Sequence, residues 1–375
     1  MADPAAVLAT DALNALVFWS VVVFILGAVV GSFLNVCIHR MPRSLSIVRP
    51  RSHCPHCGKT LCWYHNIPLL SWLVLRGRCA FCNAAISPVY FIVEFLNAGL
   101  WLALWLDFGL SPQFGAYALV VSLFLVGMFV DLEHYILPDE VTLGGTAVGV
   151  LLSAVFYQSL QSAPDWITGL LRSVIGLAAG GGILYGVRWF GNVLFGRKVH
   201  EFEKGVSLVL DKGRLRLDDG EEPVEEEAVK EVLTSRRDRV EFQADSGQVG
   251  AQNVAGLMVR ITATELTVGG QRWPLNDAPR LEATAHQIEL PREAMGLGDV
   301  KLMMAIGAFF GGEAVVFSLI VSSLLGSVVG VLLIAFRAHQ WGRPIPYGPY
   351  IVAASFVWIF CGMELTRWCL NLPIR

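Results

Sequence analysis

The segment Gly296-Leu297-Gly298-Asp299-Val300-Lys301 lies between a long polar region and an apolar run, Leu302 to Phe310. An acid at the mouth of a membrane segment is costly to keep in lipid and usually has a function. The two glycines lack a Cβ atom, so the backbone beside Asp299 can turn sharply or lie close to another helix. These six residues alone are explained most simply if Asp299 is a helix N-cap. A catalytic role for Asp299 requires a second carboxylate beside it.

The composition is that of a membrane protein with several spans. Of the 375 residues, 54% are hydrophobic and only 16% are charged, which excludes an ordinary soluble domain. The sequence predicts a mainly α fold with about eight transmembrane helices, at Ala15–Ile38, Val89–Leu106, Phe114–Val130, Val141–Tyr157, Thr168–Val187, Lys301–Phe310, Ala314–Phe336 and Tyr350–Leu370. The sixth is short for the ~20 residues that a span normally needs.

Basic residues predict which side of the membrane each loop faces. The loop from His39 to Pro88 holds seven Lys and Arg residues and no acid, so the positive-inside rule places it in the cytoplasm. The alternating spans then bring Asp131, at the end of the third span, and Asp299 to the cytoplasmic face at the same depth. Arg172, near the outer end of the fifth span, does not fit this scheme and is expected to face a cavity or to snorkel.

Asp131 is the second carboxylate that a hydrolytic site requires. An acid at a helix C-terminus is disfavoured by the helix dipole, so Asp131 calls for a function more than Asp139 does. Asp139 follows Pro138 at the start of the fourth span and is interpreted as an N-cap. The alternative for Asp131 is a solvated charge at the membrane interface.

Two Cys-x-x-Cys pairs in the cytoplasmic loop predict a metal site. Cys54, Cys57, Cys79 and Cys82 have the spacing of a tetrahedral zinc site with four cysteine ligands, and a reducing cytoplasm disfavours two disulfides. Four thiolates leave no open coordination position, so the zinc is expected to be structural. The positive-inside rule accounts for the basic charge of the loop, and no nucleic-acid partner is predicted.

Glu94 lies within the second span, where an acid needs a partner or a water-lined cavity. Two interpretations are equally open: it binds substrate, or it forms a structural hydrogen bond to another helix.

The sequence predicts five regions along the chain. They are a tail with the first span (residues 1–38), the zinc loop (39–88), spans two to five (89–196), a soluble cytoplasmic insert (197–293), and the glycine-aspartate motif with the last spans (294–375). The insert has 14 basic and 19 acidic residues and is long enough for a core of its own. We expect an α+β fold, with a hairpin at Ser207–Leu217, an acidic helix at Glu221–Ser235, and strands over Leu257–Leu275 that turn at Gly269-Gly270.

The motifs together resemble those of the type IV prepilin peptidases (leader peptidase / N-methyltransferase), in the GxGD group of intramembrane aspartyl proteases. The resemblance covers nearly the whole chain outside the insert. It rests on Gly31-Ser32-Phe33-Leu34-Asn35-Val36, the two cysteine pairs, Asn66-Ile67-Pro68, Leu75-Arg76-Gly77, Asp131 with Leu137-Pro138-Asp139, the segment from Gly296 to Leu302, and Pro346-Tyr347-Gly348-Pro349.

The resemblance implies that Asp131 and Asp299 are the catalytic pair, with Gly296, Gly298, Lys301 and Glu94 as supporting residues. It implies cleavage of prepilin or pseudopilin leaders after a glycine, on the cytoplasmic side of the bacterial inner membrane. It further implies methylation of the new N-terminus with S-adenosylmethionine, for which no binding residues are identified. The cysteine loop is typical of bifunctional members, whereas preflagellin peptidases lack it.

The chain departs from the family pattern in two places. Pro88-Val89-Tyr90-Phe91-Ile92 replaces the usual Arg-Tyr-Pro before Val93-Glu94, which leaves the role of Glu94 open. The insert replaces a short linker, and regulation of access or binding to pilus or type II secretion machinery are its expected roles. The rivals from other classes are an ion-coupled transporter that uses the three acids as a relay and a non-enzymatic assembly scaffold.

Overall fold

The computed structural model describes residues 4–195, 197–218, 226–229, 233, 239–291, 295–336 and 345–369. The chain forms two compact units, Met1–Tyr185 with Leu297–Arg375, and Gly186–Gly296. Among the described residues, six helices are long and apolar enough to cross a membrane.

The first unit is helical. Its helices are α1 (Pro4–Arg40), α2 (Leu70–Val74), α3 (Val89–Phe108), α4 (Pro112–His134), α5 (Asp139–Val155), α6 (Tyr157–Gln161), α7 (Trp166–Phe195, which continues into the second unit), α8 (Leu297–Ala335), α9 (Gly348–Val357) and α10 (Met363–Cys369), with a π-helical turn at Trp358–Gly362 between the last two.

The six candidate spans and the eight predicted ones differ in two places. The fourth predicted span is α5, whose 17 residues are fewer than a span normally has. The sixth and seventh predicted spans are the two arms of α8, which is interrupted at Gly311 (φ 82°, ψ −179°). The count of eight therefore stays a prediction, while a mainly helical membrane unit is confirmed.

The interruption at Gly311 frees backbone carbonyl groups inside the protein. The side-chain amide of Gln161 donates to the carbonyls of Ala308 (3.3 Å) and Phe309 (3.0 Å). The Ser153 hydroxyl also donates to the Ala308 carbonyl, at 2.9 Å. These donors replace the helix hydrogen bonds that the break removes, as an apolar interior requires.

Arg172 has a structural partner that explains its position near the end of a span. Its guanidinium donates to the carbonyls of Gln161 (2.6 Å) and Ser162 (3.1 Å), which are left unpaired at the end of α6. Arg172 therefore caps α6, and the expectation that it faces a cavity or snorkels stays a prediction.

The glycines of α7 allow close packing against α8. A Cβ atom on Gly176 would lie 2.2 Å from the carbonyl oxygen of Gly307, and one on Gly180 would lie 2.3 Å from that of Met303. Small residues commonly allow such contacts between membrane helices.

Apart from the end of α7, the described part of the second unit is mainly an antiparallel sheet of ten strands. They are β1 (Arg197–Asp211), β2 (Arg214–Asp218), β3 (Glu226–Ala228), β4 (Arg239–Gln243), β5 (Ser246–Val249), β6 (Gln252–Asn253), β7 (Met258–Thr262), β8 (Glu265–Val268), β9 (Gln271–Pro274) and β10 (Leu281–Pro291). The order is β3-β2-β1-β10-β4-β7-β8-β9, with β5 pairing with β10 and β6 with β5. One face buries an apolar core that includes Leu208, Val240, Ile261 and Leu281.

Both turns predicted for the insert are confirmed. β1 and β2 form the hairpin, turning at Lys212-Gly213, and β8 and β9 turn at Gly269-Gly270, with positive φ at all four residues. The predicted acidic helix at Glu221–Ser235 lies mostly outside the described residues. Its residues 226–228 form a strand, while Val229 is helical and its carbonyl accepts from the Leu233 N–H at 2.8 Å. The described insert is strand-rich, and the helix stays a prediction.

Candidate active site and metal centre

Asp131 lies in the last turn of α4, and its side chain is buried, with the residue only 6% exposed. The helix ends at Tyr135, whose backbone N–H reaches back to the carbonyl of Asp131 from a left-handed conformation (φ 57°). Asp131 Oδ2 accepts a hydrogen bond of 3.0 Å from the backbone N–H of Gly348. The N-terminus of α9 therefore contacts the Asp131 carboxylate, and the positive end of a helix dipole stabilises such a negative group.

Gly348 is required for this close approach. A Cβ atom at Gly348 would lie 2.6 Å from Asp131 Oδ2, closer than non-bonded atoms come. The preceding residue is also fixed, since the Tyr347 hydroxyl lies 2.7 Å from the Ser322 hydroxyl on α8. The Pro-Tyr-Gly-Pro motif thus holds the start of α9 between Asp131 and α8. The sequence indicates a rigid proline-rich connection here that could lie beside the active site, but not the contact with Asp131, because Asp131 and Gly348 are 217 residues apart.

Asp299 is the third residue of α8 and is half-buried. It lies inside the first helical turn, not at the N-cap, so the simplest interpretation of the motif is not what the structure contains. An acid in the first turn is favoured by the helix dipole. Gly296 precedes the helix and is exposed.

Two contacts join the segment after Asp131 to the segment around Asp299. A Cβ atom at Gly298 would lie 2.9 Å from Leu137 Cβ, so the glycine next to Asp299 lets Leu137 pack directly against α8. Lys301 Nζ lies 2.5 Å from Asp139 Oδ1. Asp139 is the first residue of α5 and forms this ion pair, while Pro138 occupies the N-cap position.

The Lys301–Asp139 ion pair adds little to the stability of the protein, and its main effect is to position α5 relative to α8. The Asp139 side chain is 60% exposed, and an exposed ion pair contributes only about 0–1 kcal/mol. Its significance is geometric, because it links the start of α5 to the first turns of α8.

Glu94 is buried in α3 and forms a structural hydrogen bond. Its Oε2 accepts from the backbone N–H of Leu69 at 2.7 Å. Leu69 has a positive φ of 62°, a conformation that non-glycine residues adopt rarely. One partner of Glu94 is thus the cysteine loop just before α2. The Ser32 side chain of α1 is a second hydrogen-bond partner of Glu94, so the bond to another membrane helix that the structural interpretation expected is also present.

The Gly-Ser-Phe-Leu-Asn motif of α1 packs against α3 beside Glu94. A Cβ atom at Gly31 would lie 2.7 Å from Glu94 Cα. Asn35 Nδ2 donates to the Tyr90 carbonyl at 3.0 Å. The motif therefore fixes the start of α3, including the position of Glu94.

The four predicted cysteines converge, with all their Sγ atoms within 4.8 Å of one another. Cys54 Sγ and Cys82 Sγ are 3.8 Å apart, which excludes a disulfide between them. Ligands at the Zn–S distance of about 2.3 Å in a tetrahedron are separated by about 3.8 Å. The cluster therefore has the donor set and the spacing of a four-cysteine metal site.

The two halves of the cluster have the same local backbone. The Cys54 carbonyl accepts from Gly58 N–H, and the Cys79 carbonyl accepts from Asn83 N–H, at 2.9 and 3.0 Å. Gly58 and Asn83 both have positive φ. The Phe81 backbone N–H also points at Cys79 Sγ and lowers the pKa of that thiol to about 7, which favours the thiolate that metal binding requires.

Comparison with known families gives two matches within the chain. The "Bacterial Peptidase A24 N-terminal domain" matches residues 25–108, which include the cysteine cluster and Glu94. The "Type IV leader peptidase family" matches residues 285–331, which include Asp299. No solved structure matches the chain.

Several curated proteins are similar to the chain. A prepilin leader peptidase/N-methyltransferase of Aeromonas hydrophila is 28% identical and aligns with 93% of each chain. A protein of the same name from Myxococcus xanthus is 48% identical over 36% of this chain and 40% of its own. A type 4 prepilin-like proteins leader peptide-processing enzyme of Escherichia coli is 37% identical over 45% of this chain and 66% of its own.

Proposed function

The chain belongs to the type IV leader peptidase family, and on that premise we propose that it is a bifunctional enzyme that cleaves and methylates prepilins. It removes the leader of prepilins or pseudopilins after a glycine, at the cytoplasmic face of the bacterial inner membrane. It then methylates the new N-terminus with S-adenosylmethionine. The proposed topology has eight membrane-crossing segments, which include α5 and both arms of α8.

Asp131 and Asp299 are the proposed catalytic pair. The observation that carries the proposal is the contact between their segments: Gly298 packs on Leu137, and Lys301 pairs with Asp139. Two neighbouring carboxylates do not both ionise easily, so one holds a proton. The ionised carboxylate takes a proton from water as the water attacks the scissile carbonyl, and the other carboxylic acid donates to the developing oxyanion. The pair titrates as a unit, so the base is not assigned to one aspartate.

The first prediction concerns leader cleavage. We expect Asp131→Ala and Asp299→Ala each to abolish cleavage of a prepilin peptide by the purified protein, because each removes one of the two proton-transfer groups. Asp107→Ala is the matched control, since Asp107 is an exposed carboxylate at the C-terminal end of α3. This variant should retain activity. Robust processing by either active-site variant, with membrane insertion intact, would contradict the assignment.

The cysteine cluster is proposed to hold a structural Zn2+. Cys54, Cys57, Cys79 and Cys82 would fill all four coordination positions, so the ion would close the loop and take no part in hydrolysis. The cluster's convergence supports this. The proposed partners are the prepilin substrates, the lipid bilayer and, through the insert, the pilus or type II secretion machinery.

The second prediction tests the metal. Replacing the four cysteines by serine should lower the zinc content from about one ion per chain to none, because serine hydroxyls are poor zinc ligands. Elemental analysis of the purified protein measures this. Cys62→Ser is the control, since Cys62 lies in the same loop outside the cluster. Stoichiometric zinc in the quadruple variant would reject the site.

A further inference from the structure

A cavity of about 360 Å³ lies between the cysteine loop and the cytoplasmic ends of α1 and α3. Its size falls within the range of about 300–1,000 Å³ that is usual for small-molecule sites. Its walls include Ser32 and Arg40 of α1, Trp72 of α2, and Tyr90 and Glu94 of α3. Leader cleavage, as proposed above, does not use this cavity.

Two buried nitrogen atoms of cavity-lining residues lack a protein partner. Within the described part of the chain, His65 Nδ1 and Trp72 Nε1 are buried without a hydrogen bond, and both residues line the cavity. Buried polar groups are paired in nearly all proteins. An indole N–H can only donate, so the missing partner of Trp72 is a hydrogen-bond acceptor.

The rings that carry these nitrogens are fixed by aromatic neighbours. The ring centroids of Trp72 and Phe91 are 5.4 Å apart. The ring centroid of His65 lies 4.4 Å from that of Tyr64 and 5.4 Å from that of Phe81. The donors are thus held in place without a ligand, as a preformed binding site requires.

Charges of both signs reach the cavity. Glu94 is buried and shares its Oε2 with the Leu69 N–H, and it gives the cavity a carboxylate. Arg40 is also buried, with its guanidinium bonded to the carbonyls of Ser46 and Pro50 at 2.8 Å each. A ligand that fits must combine a cationic group, an anionic group and a flat acceptor surface for the aromatic wall.

We propose that this cavity binds S-adenosylmethionine, an assignment that rests on the proposed methyltransferase function. The adenine ring supplies acceptor nitrogens for Trp72 and His65. The sulfonium and ammonium groups are attracted by Glu94 and by the faces of Trp72 and Tyr90, and the carboxylate by Arg40. The donor supplies the methyl group, while these residues bind and orient it.

The arrangement also explains why the cysteine cluster accompanies methylation. Trp72, His65 and the Leu69 N–H all come from the stretch between the two cysteine pairs. Closing the cluster around a metal would fix that stretch against α1 and α3, and so build one wall of the cavity.

The test is calorimetric binding of S-adenosylhomocysteine, the unreactive product, to the full chain in detergent micelles. Trp72→Phe removes the unpaired donor, Glu94→Gln removes the charge, and Ala84→Leu fills the cavity. Each should weaken binding about ten-fold or more. The control is Trp63→Phe in the same loop, since Trp63 is 79% exposed and does not line the cavity, and it should stay within about two-fold.

Zinc content and the size-exclusion elution profile are measured on the same samples. They distinguish a variant that has lost a ligand contact from one that has misfolded. Because the three variants lie on three different segments, one that misfolds leaves the other two to decide. Binding as tight as that of the unaltered chain in the folded variants would overturn the cavity assignment. If the unaltered chain does not bind the probe, the assignment also fails, and methylation of a cleaved prepilin peptide then decides whether the proposed function fails with it.

Discussion

Single residues decide how the candidate catalytic groups are held, and the sequence reveals only some of them. Asp131 and Asp299 are predicted as a pair from the sequence, because hydropathy and the positive-inside rule are expected to put both at one membrane face. The contact of Asp131 with Gly348 could not be found in this way, because no local pattern reports a hydrogen bond between residues so far apart. Glu94 is intermediate: its burial is predictable from its place in a span, but its loop partner is not.

At this scale, the third prediction concerns Gly348. A methyl group at Gly348 would come within 2.6 Å of Asp131 Oδ2, so in Gly348→Ala either the carboxylate or α9 must move. Misplacement of a catalytic group by about 1 Å can reduce the rate about 100-fold. We expect a large fall in kcat for prepilin peptide, with zinc content unchanged. Gly182→Ala, where a Cβ has open space in α7, is the control, and equal activity in the two variants would refute the argument.

At the scale of elements, hydropathy predicts the apolar helices but not how they are interrupted. The apolar pattern predicts two separate spans, the first of them short, where the structure has α8 with a break at Gly311, because a count of apolar residues cannot distinguish a loop from a kink. The break is stabilised by residues of α5 and α6 that are remote in sequence. The hairpins of the insert, by contrast, are local, and alternating residues around glycine turns predict them correctly.

The fourth prediction tests the support of this break. Gln161→Leu removes both amide hydrogen bonds to Ala308 and Phe309 and should lower the free energy of unfolding by about 1–2 kcal/mol, the cost of an unpaired buried carbonyl. Unfolding in mixed detergent micelles with increasing dodecyl sulfate measures the change. Gln158→Leu, at an exposed position of the same helix α6, should leave it unchanged. Equal stability of both variants would show that the break needs no such donor.

At the scale of the whole molecule, the insert begins and ends at one place. Arg197 in β1 pairs with Pro291 in β10, and antiparallel partners lie only about 5 Å apart. Arg188 Nε also donates to the Met295 carbonyl at 3.1 Å, which brings the end of α7 to the segment before α8. Composition alone predicts that residues 197–293 are soluble, but not that their ends coincide, because strand pairing over such a separation leaves no local signal.

The coincidence of the two ends leads to the fifth prediction. Residues 198–290 can be replaced by a short glycine-serine linker, because the gap to be closed is one strand spacing. We expect the shortened protein to insert into membranes and to cleave a prepilin peptide at a rate within about three-fold of the full chain, since the Asp131–Gly348, Gly298–Leu137 and Lys301–Asp139 contacts all lie outside the insert. A second deletion that removes residues 187–296 is the comparison, because it also discards the Arg188–Met295 bond, the last turns of α7 and Gly296 of the glycine-aspartate motif, and should impair cleavage. If the short deletion is inactive although inserted, the insert acts directly on the peptidase site. If it is active on the peptide but fails to process pilins in cells, the insert serves recruitment of partners.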